Sequence, residues 1–166
     1  MIKLIDILKL KPSEYSQAME LRQKSKKVRD TALKNYINGR LGLLIDGTGK
    51  NYPNIAKQKK RLQGVGYDCF MIFVNTDLDV ALERNQERER KLPTELVKSS
   101  WQAVQNNLGK FQSLFGSSNM LVVDNSEKKD FEDIIKSKAR EFVSRPIQNH
   151  IAKQWIKKEI ELRKSK

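Results

Sequence analysis

Three sets of residues in this 166-residue chain have the type and spacing to do chemistry. Asp46 closes the apolar run Leu41-Gly42-Leu43-Leu44-Ile45 and opens Gly47-Thr48-Gly49-Lys50. A carboxylate at the rim of a buried strand can orient a hydroxyl nucleophile or help hold magnesium, and glycines beside it let a ligand or a backbone come close. The plainer reading of Asp46 is a turn cap. Arg84 and Arg88 stand four apart in Glu83-Arg84-Asn85-Gln86-Glu87-Arg88-Glu89-Arg90-Lys91, a spacing that puts both on one helical face. Guanidinium groups placed so can grip phosphate oxygens. A solvated helix laced with Glu–Arg pairs explains the same residues without a ligand. Asp124 and Asn125 form the third set, at the end of Met120-Leu121-Val122-Val123.

Other chemistries are not supported. Gly47-Thr48-Gly49-Lys50 is no Walker A loop, because that motif needs two glycines separated by four residues before Lys-Ser/Thr, and Asn51 follows Lys50. The one histidine, His150, has no second histidine or carboxylate at ligand spacing, so no side chain is assigned to a metal. No nucleophile-elbow sequence is present to build a Ser-His-Asp centre. Trp101 and Trp155 sit among apolar neighbours at helical positions and read as core anchors rather than base-stacking platforms.

The elements that must position these groups follow from periodicity. Residues 13–37 read as a helix closed by Asn38-Gly39, a pair suited to a left-handed cap. A buried strand is expected at 41–45, then a helix over 53–63, a turn at Gly64-Val65-Gly66, a second strand at 69–75 and a helix over 77–89. Pro93-Thr94-Glu95 begins another helix, punctuated by Gly109 and Gly116, before a third strand at 120–123. Two helical patterns, 127–144 and 146–163, follow, with the break set by Arg145-Pro146. Three buried strands alternating with helices argue for a parallel sheet covered on both faces, with its ligand crevice outside the carboxyl ends of the strands. Asp46, Asn75 and Asp124 converge there.

Thirty-three Lys and Arg against twenty Asp and Glu give a formal charge of +13, which favours anionic partners such as nucleotides, nucleic acid or an acidic protein surface. A solvated basic surface is the bland account. Cys69, the single cysteine, lies in an apolar run, cannot form an internal disulfide and fits a reducing compartment. Lys3, Asp6 and Lys9 interrupt the first apolar residues, so neither a signal peptide nor a membrane partner is expected, and the chain reads as cytoplasmic.

The order of these features resembles the P-loop kinases of the zeta-toxin and polynucleotide-kinase group, in the small form common in bacteriophage genomes, over most of residues 40–156. In that group a strand ends in an Asp-Gly-Thr-Gly-like element, matched by Asp46-Gly47-Thr48-Gly49, whose carboxylate activates the acceptor hydroxyl. Ala81-Leu82-Glu83-Arg84-Asn85 resembles the segment entering an arginine-bearing lid, here around 84–95. By this resemblance Asp46, Arg84 and Arg88 are catalytic, Thr48, Lys50 and Arg90 bind substrate, and Asp124 and Asn125 lie at the nucleotide. ATP and Mg2+ are implied as cofactors, a hydroxyl compound as acceptor and, for a phage-encoded chain, the host cytoplasm as compartment.

Such kinases begin with a strand and a Gly-rich loop ending in Gly-Lys-Ser/Thr, whereas no glycine precedes Gly39 here. The resemblance therefore implies an α/β fold, a three-layer parallel sheet with flanking helices, P-loop kinase-like but truncated, its first strand and phosphate loop absent. In relatives that strand lies between those matching 41–45 and 69–75. Residues 1–10 fit a short helix at least as well as a replacement strand. The expected divisions are an N-terminal segment 1–12, a kinase-like core 13–144 and a C-terminal basic helix 145–166. A deleted gene product, a piece complemented by another chain carrying the loop, and a remnant kept for binding all explain the pattern. Two functions follow: a phosphotransferase incomplete as a lone chain, or a non-enzymatic basic module that binds nucleic acid or a phage or host assembly.

Overall fold

The computed structural model describes residues 12–89, 91–127 and 131–165, so the expected strand or helix at 1–10 and the candidate Arg90 lie outside the described residues. The chain divides into two units, Met1–Gly47 and Thr48–Lys166.

In the first unit, a stretch without internal proline or glycine forms helix α1, Pro12–Asn38. Its end is a Schellman motif: the Leu41 N–H donates to the Tyr36 carbonyl at 3.0 Å and the Arg40 N–H to the Ile37 carbonyl at 3.1 Å. The left-handed residue is Arg40, at φ 56°, not Gly39. The expected cap is present but one residue later, on a side chain that tolerates this conformation less well than glycine. The expected strand at 41–45 is not formed. These residues have no regular secondary structure, Leu41 and Ile45 are about half exposed and Leu44 is fully exposed. The run's composition gives a physical reason, since Leu-Gly-Leu-Leu has weak strand preference, and among the described residues the sheet consists of two other strands.

The second unit begins with α2, Tyr52–Gly64, started by Asn51, whose side chain accepts the Asn54 N–H at 3.1 Å. It ends in a second Schellman motif, in which Gly66 takes φ +106° as only glycine does readily. Strand β1, Met71–Asn75, then α3, Leu78–Glu87, and α4, Thr94–Phe115, lead to β2, Met120–Asp124. The two strands are parallel and in register from Met71↔Met120 to Asn75↔Asp124. Gly109 does not interrupt α4, which runs on to Gly116 at φ +79°. Helices α5, Glu132–Ser144, and α6, His150–Lys164, complete the unit, separated around Pro146 as the sequence predicts.

The core is aromatic. Phe111 of α4 is completely buried against Phe73 of β1, Phe115 and Met120, with Tyr52, Val104 and Leu108 around them. A second cluster stacks Phe70 on Phe142 of α5 at 4.5 Å, and the Arg145 guanidinium lies 5.0 Å from the Phe142 ring and 5.6 Å from Phe70. Asn149 caps two helices at once: its Oδ1 accepts the Ile151 N–H of α6 at 2.9 Å, while its Nδ2 donates to the Gln63 carbonyl at the end of α2 at 2.8 Å. Among the described residues no helix is long and apolar enough to cross a membrane.

Candidate functional site

A parallel pair of strands delivers Asn75 and Asp124 side by side at their carboxyl ends, where the sequence expects a crevice. Pairing continues one residue further, since the Asn125 N–H donates to the Asn75 carbonyl at 2.7 Å. Asp124 Oδ1 accepts both the Ser126 N–H at 2.9 Å and the Ser126 hydroxyl at 2.6 Å, and that hydroxyl accepts the Asp77 N–H at 2.9 Å. The loops that leave β1 and β2 are thereby tied to each other. Helix α4 braces the same end: Trp101 Nε1 donates to the Thr76 carbonyl and Gln105 Nε2 to Asn75 Oδ1, both at 2.7 Å. An open groove lined by Val122, Val123, Asp124, Glu127, Phe131 and Ile134 runs beside the candidate nucleotide residue Asp124.

Arg84 reaches this cluster. Its Nη1 donates to the Asn125 carbonyl at 2.8 Å, fastening α3 to the end of β2. A guanidinium carries five N–H donors, so this bond leaves capacity for an anion. Arg88 does not share a helical face with Arg84, because α3 stops at Glu87 and Arg88 is extended at φ −72°, ψ 145°. What ends the helix there is Asn85. Its Nδ2 donates to the Leu92 carbonyl at 2.9 Å and its Oδ1 accepts the Leu92 N–H at 3.0 Å.

Gly49 and Lys50 belong to the second unit, and Asn107 of α4 donates to both their carbonyls, at 3.1 and 3.0 Å. Lys50 Nζ donates to Ser100 Oγ at 3.3 Å. Thr48 is exposed nearby in sequence, and Asp46, also exposed, belongs to the first unit. The structure thus joins Arg84, Asp124 and Asn125 in one bonded cluster and anchors Lys50 on α4. Asn85, Asn107, Gln105 and Ser126 carry much of this geometry and were not singled out by the sequence. The signal for two of them was phase: Asn85 continues the apolar series Leu78, Ala81, Leu82, and Asn107 lies between Val104 and Phe111.

Two groups elsewhere are electrostatically shifted. Burial pushes the Cys69 thiol above its ordinary value, against the opposing pull of Lys59. Hydrogen bonds from Lys138 and Arg145 hold the Glu141 carboxyl below the usual range. Neither lies in the strand-end cluster.

Among the described residues no preformed cradle for a nucleotide's phosphates is found. No three His, Cys, Asp or Glu side chains gather there as a metal site. Neither strand passes through a glycine-rich turn into a helix, since β1 leaves by Thr76-Asp77 and β2 by Asn125-Ser126, so no cradle of backbone N–H groups follows a strand.

Searches of curated proteins and of solved structures returned no match. A family model described as Zeta toxin matches residues 6–135, well over half of the chain. The match starts before residue 40, where the resemblance in the sequence begins, and stops short of α6. Parallel strands joined through helices, with polar residues at their carboxyl ends, agree with that match. The chain therefore belongs to the zeta-toxin family, a group of P-loop kinase-like α/β phosphotransferases.

Proposed function

We propose that this chain supplies the acceptor and lid side of a phosphotransferase acting on a hydroxyl compound, and that a strand and phosphate loop from outside these residues complete it. The observation that carries the reading is the unfinished sheet. Two parallel strands end in a bonded polar cluster, while the apolar run 41–45 forms no strand and its Leu44 is fully exposed. A further strand beside the pair would extend the sheet and bring backbone amides to the nucleotide.

In the completed enzyme, Asp46 orients the acceptor hydroxyl and Thr48, Lys50 and Arg90 hold the acceptor. Arg84 and Arg88, in a lid over residues 84–95, contact the transferring phosphate, and Asp124 and Asn125 flank the nucleotide. ATP with Mg2+ is the donor this assignment requires. Positioning and charge neutralisation supply most phosphoryl-transfer catalysis, so the lone chain binds ATP weakly and transfers no phosphate.

Titration calorimetry with ATP and Mg2+, paired with a phosphotransfer assay, tests this on the chain alone and mixed with a loop-bearing chain encoded beside it. Transfer is expected only from the mixture. Transfer by the chain alone, or no nucleotide binding in either sample, overturns the reading.

A further inference from the structure

Asn85 and Asn107 are buried polar side chains, exposed by 3% and 6%, in a unit whose other buried side chains are apolar. Burying an amide is unfavourable unless it is fully hydrogen-bonded, and asparagine is a weaker helix former than the leucine or alanine that would suit either position. Both are satisfied, since no buried side-chain nitrogen or oxygen among the described residues lacks a partner. Apart from the bond Asn107 Oδ1 accepts from Lys110 of α4, their bonds leave their own helices and go to loop backbone. Asn85 takes both backbone groups of Leu92 and so closes the segment that carries Arg88 and Lys91. Asn107 takes the carbonyls of Gly49 and Lys50.

We propose that these two asparagines are positioning residues for anion binding, each clasping one cationic loop so that Lys50 is held ready for an anionic acceptor and Arg88 for the transferring phosphate. The inference rests on the phosphotransferase reading above and assigns what prepares its cations. Three further observations support the Asn107 clasp. Gly49 adopts φ +74° with its backbone packed so that an added Cβ would lie 3.8 Å from Phe73, Val104 and Phe111, so the loop rests directly on the core. Lys110 Nζ donates to Asn107 Oδ1 at 3.4 Å, bringing an ammonium to the same amide that holds the Lys50 backbone. Lys50 Nζ is steadied on Ser100, two helical turns before Asn107. A cation held in place loses less freedom when an anion arrives, which is how buried amides translate into affinity.

The test uses inorganic tripolyphosphate as the probe, measured by calorimetry well below the melting temperature of each full-length variant. Asn107→Asp is isosteric but loses both donations, and Asn85→Asp keeps the Leu92 N–H bond while losing the other. Asn106→Asp adds the same charge at the exposed neighbouring position and serves as the control. Asn107→Ser and Asn85→Ser, uncharged, are read if an aspartate variant does not fold. Wild-type protein binds, Asn107→Asp weakens binding about ten-fold and Asn85→Asp about three-fold beyond the control. Limited trypsin digestion sharpens after Lys50 only in Asn107 variants and after Arg88 or Lys91 only in Asn85 variants. Variants that melt earlier but bind as wild type does overturn the positioning role and leave the phosphotransferase reading standing. Failure of wild type to bind tripolyphosphate overturns this inference together with the phosphate assignments on which it rests.

Discussion

Residues 41–45 and 71–75 are two apolar runs of equal length, each followed or closed by a polar residue, yet one is a strand and the other is not. In β1, Phe73 is exposed by only 5%, and the run has β2 beside it in register and the α4 aromatic cluster over it. In 41–45, Leu44 lies fully exposed. Composition explains part of the contrast, since Leu-Gly-Leu-Leu has weaker strand preference than Ile-Phe-Val. Neighbours explain more. A strand satisfies its backbone groups on another strand, so an apolar run states a demand for burial without naming what meets it.

The largest effect expected from this contrast is at Phe111. Phe111→Ala should cost about 3–5 kcal/mol, because it opens a cavity against Phe73, Phe115 and Met120. Leu44→Ser should change stability by no more than about 0.5 kcal/mol, as for other exposed positions. Urea denaturation of both variants measures the difference directly. A Leu44→Ser loss as large as 2 kcal/mol would break the comparison, since it would mean that the run is packed in solution; ~2 kcal/mol is beyond the ordinary range for a surface side chain.

Next in size is Asn149, which secures β1's surroundings from beyond the strand by joining the start of α6 to the end of α2. Asn149→Ala removes a cap and an amide donor together and should cost about 1–2 kcal/mol. Asn149→Ser keeps the cap and should fall between. Equal urea midpoints for wild type and Asn149→Ala would mean that α6 contributes nothing to this unit's stability.

The same contrast explains what the sequence made legible. The strands expected at 69–75 and 120–123 were readable because bulky β-branched and aromatic residues fill them and turn residues bound them; they form at 71–75 and 120–124, the first two residues shorter at its start. Asn75 and Asp124 as neighbouring strand ends followed from that, and so did the helical break at Arg145-Pro146. The absence of a strand at 41–45 was legible only in part, because the weak strand preference of the run is in the sequence but the pairing a strand needs is not. Arg88 was placed one residue too far along a helix, since the bonds that stop α3 come from Asn85 to Leu92 and no periodicity reports them. Arg40 took the left-handed turn expected of Gly39, a shift of one residue that backbone hydrogen bonds decide. Asn85 and Asn107 were legible only as polar residues in the apolar phase of their helices.

Thiol chemistry offers a finer test of the two runs. Cys69 precedes β1, and burial holds its thiol above the ordinary value, so little thiolate is present near neutrality. Introducing Leu44→Cys in a Cys69→Ser background places a thiol in the exposed run. Its reaction with a disulfide reagent at pH 8 should be at least about ten-fold faster than that of Cys69 in the wild-type protein. Equal rates would place the two runs in equivalent environments and erase the distinction.

The smallest effect lies at Glu141, on the exposed side of the Phe70–Phe142 stack that borders β1. Lys138 donates to its carboxylate at 2.6 Å, and Arg145, which lies over both rings, pairs with its other oxygen. These hydrogen bonds favour the charged form, so the folded-state pKa lies below that of the unfolded chain. The resulting stability is present above the ordinary glutamate range and fades as pH falls through the lowered value, because protonation then removes the acceptor from both cations. Glu141→Gln should therefore melt slightly below wild type at pH 7, and the gap should close with acidification below the ordinary range. A gap that persists unchanged into strong acid would assign the effect to packing of the side chain rather than to its charge. The ring stack beside β1 would then owe its order to apolar contact alone, which would make the contrast with residues 41–45 sharper still.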